Sequence, residues 1–488
     1  MLPLAPTSSG QMIYRKILAH TLTPLSAFEK LKGKFLLESA CLQSGRGRYS
    51  LLVLTPAFML IKESGQYFLL DETGRHDLSA LDSTKDYLEW LAHFRSFAPD
   101  VQADFDFPLP LGGIGYLGFE FFSEIENITF HAPKRVAHYD CAFVFPREIL
   151  VFDHLYDSAY LFCFSYAGES FVPTQQRLDS LCDLLQQNDV PQTSQIHHAT
   201  IIDHEIPYRD FVRTIQDEIY QGNVMQCVPS RSLEVHTTLP PLAAYKNLRH
   251  ENPSPYMFYC DFDDFILLGA SPEIMVKLND DKLTLRPIAG SCRRGTDREE
   301  DRVLESQLLE NIKENAEHLM LVDLGRNDLA KVSKPGSVVV EKFKTLEKTA
   351  RITHIASEIS ATLSADKTIR DILHATFPAG TVSGAPKIAA IELIARLETH
   401  ARGFYAGCLG YIDHRNNLNS CITLRTALYR DGVYYLQAGG GIVYDSNPDE
   451  EQQETHNKMR SLLYAITQGA SEESLGASSM RTKNDIAH

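Results

Sequence analysis

The run Ala438-Gly439-Gly440-Gly441-Ile442-Val443-Tyr444-Asp445-Ser446, continued by Asn447-Pro448-Asp449-Glu450-Glu451-Gln452-Gln453-Glu454, reads as a strand that ends in three glycines and hands over to a helix. Glycine has no Cβ, so a ligand can come close to the backbone N–H groups there. Asn447 suits the cap, Pro448 the first helical position, and the acids the first turn. Glu451, Glu454 and Lys458 then fall on one helix face. Acids at a helix start commonly do no more than complement its dipole at a solvated surface. The adjacent glycines and a second pair of carboxylates upstream shift the balance toward a site.

Upstream, Glu314 and Glu317 stand three residues apart on another helical stretch, before Leu319-Met320-Leu321-Val322-Asp323. If the two acidic helices meet, Glu314, Glu317, Glu451 and Glu454 make an all-oxygen cluster without His or Cys, which suits Mg²⁺. If they do not, the same acids are exposed helix charge. Arg425, in Ile422-Thr423-Leu424-Arg425-Thr426-Ala427-Leu428, is placed for bidentate carboxylate recognition or for a salt bridge at the rim of a sheet. Glu273 follows an apolar segment and a turn in Gly269-Ala270-Ser271-Pro272-Glu273. Burial there would raise its pKa and make it a candidate general acid. His354 interrupts the apolar series Ile352, Ile355, Ile359 and Leu363, a pattern that a structural histidine fits as well as a catalytic one. Gly380–Lys387 lacks the spacing of a phosphate loop, and Pro386 removes a backbone donor. Cys408, in Ala406-Gly407-Cys408-Leu409-Gly410-Tyr411, reads as a buried strand thiol, not a nucleophile.

The 488 residues suffice for one large domain or two to three ordinary ones, and 44% hydrophobic content fits a sizeable core. A net charge of −16 excludes a general nucleic-acid binder but not a small anionic substrate met by local arginines. No apolar run has the length of a membrane span, and the N-terminus lacks a secretory pattern. The nine cysteines show no CxxC pair, so reduced thiols in the cytoplasm are expected.

Residues 11–183 alternate short strand-like runs with turns and are expected to form an N-terminal lobe. The polar stretch 184–206 is the linker candidate, 207–468 the catalytic region, and 469–488 a disordered tail. Phe211, Ile215 and Ile219 predict an amphipathic helix ending at Gly222-Asn223. A hairpin is expected over 265–288, turning at Asn279-Asp280-Asp281. Helices are expected at about 299–321, 349–363, 384–397 and 448–467, and strands at 224–236, 256–260, 404–413, 418–429 and 433–438. Strands in hairpin-like runs favour an antiparallel α+β fold.

Taken together, these segments resemble the chorismate-utilising enzymes, within them the anthranilate synthase component I family. The likeness is dense from about 208 to 467, in YRDFVRTIQDEIYQGNVMQCVPSR, NPSPYMFY, GASPE, RPIAG, ENAEHLMLVDLGRND, FPAGTVSGAPK, GFYAGCLGY and AGGGIVYDS. It is thinner upstream, in Leu36-Leu37-Glu38-Ser39-Ala40, Arg48-Tyr49-Ser50 and Gly112-Gly113-Ile114-Gly115-Tyr116. Isochorismate and salicylate synthases carry a water-activating lysine where this chain has Gln226. One type of aminodeoxychorismate synthase carries a nucleophilic lysine where Pro287-Ile288-Ala289-Gly290-Ser291 has alanine. Both departures imply direct addition of ammonia. Ser291 stands in place of the usual threonine and Gly440 in place of a frequent alanine, and the serine keeps the hydroxyl.

The resemblance implies a two-sheet antiparallel sandwich with flanking helices and a deep cleft. It implies Glu317 and Glu454 as direct Mg²⁺ ligands, supported by Glu314 and Glu451. Tyr405, Arg425 and the backbone of Gly439, Gly440 and Gly441 would hold the enolpyruvyl carboxylate of chorismate, with Lys458 beside them. Gly290 and Ser291 would face the ring carboxylate. Glu273 would protonate the departing hydroxyl, and His354 and Thr381 would serve pyruvate loss or positioning. Glu38, Ser39, Pro255, Tyr256 and Met257 resemble a pocket for L-tryptophan as feedback inhibitor. No glutaminase motif is recognisable, so ammonia is expected from a separate glutamine amidotransferase subunit, component II, in a heterotetramer. The rival expectations are an enzyme that forms aminodeoxychorismate or stops at aminodeoxyisochorismate, a nucleotide-phosphate binder, and an inactive tryptophan-binding subunit.

Overall fold

Two long strands, Tyr49–Glu63 and Cys141–Asp153, pair antiparallel along their lengths and form the spine of the molecule. Halfway along, Pro56 faces Pro146, and the register shifts between Val53 and Phe58. Proline cannot donate to a ladder, so the sheet breaks and bends there. On either side of the break the spine belongs to a different sheet. The computed structural model describes residues 10–39, 47–101, 105–187, 197–203, 207–348 and 352–468.

The first sheet runs in the order Ala199–Asp203, Ser230–Thr237, Val433–Gly439, Thr426–Arg430, Ile266–Ser271, Tyr256–Asp261, Phe35–Glu38, then the spine, Ser158–Ser165 and Gln11–Leu18. The second starts at Gly74–Asp77 and Gln66–Asp71, crosses the other half of the spine, and continues through Ile114–Leu117, Cys408–Ile412, Leu418–Ile422, Ile274–Asn279 and Lys282–Leu285. It closes on Ile352–Thr362, flanked by Ile288–Arg293 and Val339–Lys348. All these pairings are antiparallel, as expected. Both sheets draw strands from either side of the 184–206 stretch.

The period-2 alternation of the first sheet sorts its side chains into two cores. Phe35, Leu51, Val53, Ile149, Val151, Phe258 and Leu267 join residues of the second sheet, among them Leu60, Ile114, Leu283 and Ile359, in one apolar cluster between the sheets. Their neighbours Leu36, Leu52, Leu150, Met257 and Leu268 point the other way. There they are covered by Pro24–Leu31, Gln175–Leu185, Pro241–Glu251 and Pro448–Ile466, which contribute Phe28, Leu178, Leu248 and Leu462.

Several boundaries differ from those read in the sequence. The helix expected at 349–363 is the strand Ile352–Thr362. Its isoleucine spacing imitates a helix stripe. However, Ile352, Thr353, Ile355, Ile359 and Thr362 are β-branched, and three strands pair with the segment, so tertiary pairing wins. The helix expected over 299–321 is two helices, Arg298–Glu310 and Ile312–Ala330, divided at Asn311, whose side chain caps the second by accepting from the Glu314 N–H. The 418–429 strand is interrupted at Arg425, which has φ of 48°. The 265–288 hairpin is confined to Ile274–Asn279 and Lys282–Leu285, because Ile266–Ser271 pairs with Tyr256–Asp261. The linker candidate contains the edge strand Ala199–Asp203. Residues 188–196, 204–206 and the tail 469–488 lie outside the described residues.

Candidate active site

The glycine run closes the strand Val433–Gly439, and Asn447 caps the helix that follows, accepting from the Asp449 and Glu450 N–H groups. This holds Glu451 buried against the glycines: a methyl group built on Gly440 would lie 3.1 Å from Glu451 Oε2. One built on Gly441 would lie 3.2 Å from Glu317 Oε1 and clash with the Gln226 amide at 2.5 Å. One built on Gly290, which has φ of 81°, would lie 2.9 Å from Glu314 Oε2. The glycines are therefore needed by the carboxylates themselves, and the two acidic helices do meet around them.

The electrostatics agree. Burial pushes the Glu314, Glu317 and Glu451 pKa values up, and neighbouring carboxylates add to this, Glu317 and Glu454 at Glu314, and Glu454 at the other two. Partners restrain the rise. Gln226 Nε2 donates to Glu317 Oε1 at 2.7 Å, Ser446 Oγ to Glu451 Oε1 at 2.7 Å, and Lys458 pairs with Glu454 at 2.6 Å. Burial works to lower the Lys458 pKa, but Glu454 and its neighbours outweigh it and the ammonium is held above its usual value. Lys458 also donates to the Gly439 carbonyl at 2.8 Å. Among the described residues, no three His, Cys, Asp or Glu side chains stand in the geometry of a closed metal cage. The donor set nonetheless fits a hard cation: it is carboxylate oxygen only, and burial together with neighbouring carboxylates raises Glu314, Glu317 and Glu451.

Glu273 is buried, and its pKa is pushed up to about 7 by desolvation. Thr381, the Ile288 N–H, Arg425 and Lys458 act against the rise. The Thr381 hydroxyl is near enough to matter, but its geometry falls short of a directed hydrogen bond, leaving it an available donor. The Arg425 pKa is lowered by desolvation, against which Glu273 is the opposing charge. His354 faces Ser291 across the strand pair, and desolvation, aided by Arg425, lowers its pKa to about 3. The imidazole is neutral, with Nε2 buried and unpartnered. Tyr405 is buried, its phenol raised in pKa by desolvation and facing the Gly439 N–H. Glu273, His354, Arg425, Lys458 and the glycines thus border one space. Arg425 reaches it because its left-handed backbone breaks the strand.

The regulatory candidates are less uniform. The strand Phe35–Glu38 pairs with Tyr256–Asp261, placing Glu38 opposite Met257. Glu38 is already engaged, accepting from Tyr245 Oη at 2.8 Å and Arg249 Nε at 2.7 Å. Met257 packs on the helix side, whereas Tyr256 lies on the other face and donates to Asn419 Oδ1 at 2.9 Å. Pro255 and Ser39 are half-buried at the strand ends.

Sequence reading missed Tyr208, whose hydroxyl accepts from the Gly440 N–H at 3.0 Å, and Lys313, whose charge bears on Glu314, Glu317 and Glu451. It also missed Ser446, Tyr245 and Arg249. Tyr208 and Ser446 sit inside motifs that had been singled out, and only the packing reveals their roles.

Residues 38–464 match the chorismate binding enzyme family, and the chain belongs to it. It is 40% identical over 476 residues to anthranilate synthase component 1 of Spirochaeta aurantia, covering 95% of this chain and 98% of that protein. Its fold superposes on anthranilate synthase component I from Streptococcus pneumoniae with a TM-score of 0.74, at 33% identity and with 91% and 98% of the two chains covered. The menaquinone-specific isochorismate synthase of Escherichia coli shares the fold, with a TM-score of 0.69 at 20% identity over 95% and 96% of the chains.

Proposed function

We propose that this chain is the large component of anthranilate synthase, joining chorismate to ammonia and releasing anthranilate and pyruvate. The observation that carries the reading is Gln226, whose amide is spent on Glu317. An amide cannot take a proton from water, so a water-adding reaction would lack its base, whereas ammonia is already a neutral nucleophile. Ala289 leaves no side-chain amine to attack in its place.

Arg425, Tyr405 and the Gly439–Gly441 backbone hold the enolpyruvyl carboxylate, and Gly290 and Ser291 face the ring carboxylate. Glu273, half-protonated near pH 7, gives its proton to the ring hydroxyl as the C–O bond breaks. The hydroxyl leaves as water while ammonia forms the C–N bond. The neutral His354 has an unpartnered ring nitrogen to receive the ring proton as the C–O bond to the enolpyruvyl group breaks, and the departing enolate takes up a proton at its methylene carbon to become pyruvate. Glu314, Glu317, Glu451 and Glu454 would hold Mg²⁺, which when bound neutralises the ring carboxylate. Ammonia would be delivered from glutamine by an amidotransferase subunit in a heterotetramer, and L-tryptophan would inhibit from the Glu38/Met257 side, with Arg249 sharing the Glu38 carboxylate.

The deciding experiment incubates purified protein with chorismate, Mg²⁺ and an ammonium salt. Fluorescent anthranilate is the expected product. Isochorismate or aminodeoxychorismate as sole product would refute the reading.

A further inference from the structure

The Arg402–Glu398 ion pair lies behind the cleft wall, with side chains only 1% and 7% exposed. A buried pair of this kind is a poor device for stability alone, because desolvation offsets much of the attraction. Its remaining bonds are unusually distributed. Arg402 donates through Nη1 to the Val382 carbonyl at 2.9 Å and through Nη2 to the Val228 carbonyl at 2.5 Å. Glu398 Oε1 accepts from both the backbone N–H and the hydroxyl of Ser230, each at 2.8 Å. The guanidinium lies 5.7 Å from the centre of the Tyr405 ring and 4.5 Å from that of Phe119.

Each of these attachments is next to a group that borders the substrate space. Val382 follows Thr381. Val228 lies two residues after Gln226. Ser230 is opposite Gly439 in the sheet and accepts from Gln437 at 2.8 Å. Tyr405 is three residues beyond Arg402, with its N–H bonded to the Arg402 carbonyl at 3.1 Å. The half-buried Glu120 carboxylate clamps the same turn, accepting from the Arg402 N–H at 2.7 Å and the Gly403 N–H at 3.0 Å. One planar cation thus bolts together three segments that are distant in sequence.

We infer that Arg402 is a positioning residue for the reaction: its guanidinium, oriented by Glu398, sets the mutual spacing of Thr381, Gln226 and Tyr405 around chorismate. This rests on the anthranilate-forming reading of the site. Lysine cannot replace it, since a single ammonium on a flexible stem cannot reach two carbonyls and a carboxylate in one plane.

Arg402→Lys keeps the charge that neutralises Glu398. The folded variant is expected to raise KM for chorismate by roughly tenfold to a hundredfold, the worth of one misaligned charged hydrogen bond to a bound carboxylate. A purely structural role would instead lower the yield of active enzyme and leave KM unchanged. Should the lysine variant fail to fold, Arg402→Met combined with Glu398→Leu removes both charges and fills the interior, and the same rise in KM is expected. Wild-type enzyme is assayed in parallel. Its failure to make anthranilate would defeat the functional reading itself. Active wild type beside a folded variant whose chorismate KM is within about twofold of it would overturn the inference about Arg402.

Discussion

Glu273 shows how one buried carboxyl couples chemistry to stability. Its folded pKa of about 7 lies above the unfolded value of 4.5. Its contribution to stability is therefore fully present below pH 4.5 and is lost as pH rises through 7. A shift of this size corresponds to about 3 kcal/mol at most. Glu273→Gln should be inactive yet more resistant to urea than the parent at pH 8, with the difference vanishing near pH 4.5. Parent turnover should decline above about pH 7 as the acid ionises. A variant-minus-parent stability difference that is the same at pH 8 and pH 4.5 would mean the carboxyl is solvated. At this scale the sequence singled out Glu273, Arg425 and the triple glycine as candidates beside ordinary alternatives, and it read Arg425 as lying within an unbroken strand, where the structure breaks it. It could not reveal Tyr208 or Arg402, whose roles depend on what packs beside them. Nor could it reveal that Glu38 is bound by Arg249.

Each acidic helix starts at an asparagine cap, Asn311 and Asn447, which fixes where Glu314 and Glu451 fall in the first turn and Glu317 and Glu454 one turn on. Glu317→Gln and Glu454→Gln should each remove most activity and weaken the Mg²⁺ dependence without unfolding the protein, and Glu317→Gln should not lower thermal stability in metal-free buffer. For Glu317 the reason is that a raised-pKa carboxylate costs the empty fold something, and the amide relieves it. Mg²⁺ titrations identical to the parent in both variants would place the cation elsewhere. Both helices were visible as patterns, as was the strand before the glycines. The strand Ile352–Thr362 was not, since isoleucines at spacings of three and four satisfy a helix locally, and only its three pairing partners exclude one. His354 accordingly changes from an interruption in a helix stripe to a cross-strand neighbour of Ser291.

Across the whole molecule, the α+β class and the antiparallel habit could be read from hairpin-like spacing, but the sheet order could not, because the decisive neighbours are hundreds of residues apart. L-tryptophan bound beside Glu38 and Met257 would have a route to the substrate space: the strand that carries Met257 pairs with Ile266–Ser271, which leads into Glu273. Ser39→Phe should relieve tryptophan inhibition while leaving uninhibited turnover largely intact. A tryptophan titration superimposable on the parent's would remove the site. Glutamine-dependent turnover should appear only when an amidotransferase subunit is added; turnover of glutamine by the highly purified chain would contradict this. The interleaved sheets also have a consequence during translation. Ile114–Leu117 leaves the ribosome long before its partner Cys408–Ile412. At ordinary elongation rates that strand edge waits roughly 15–60 s for its neighbour. Throughout that interval the nascent chain carries open, apolar edges, so its yield in a cell should depend on holdase chaperones more than its finished stability would indicate.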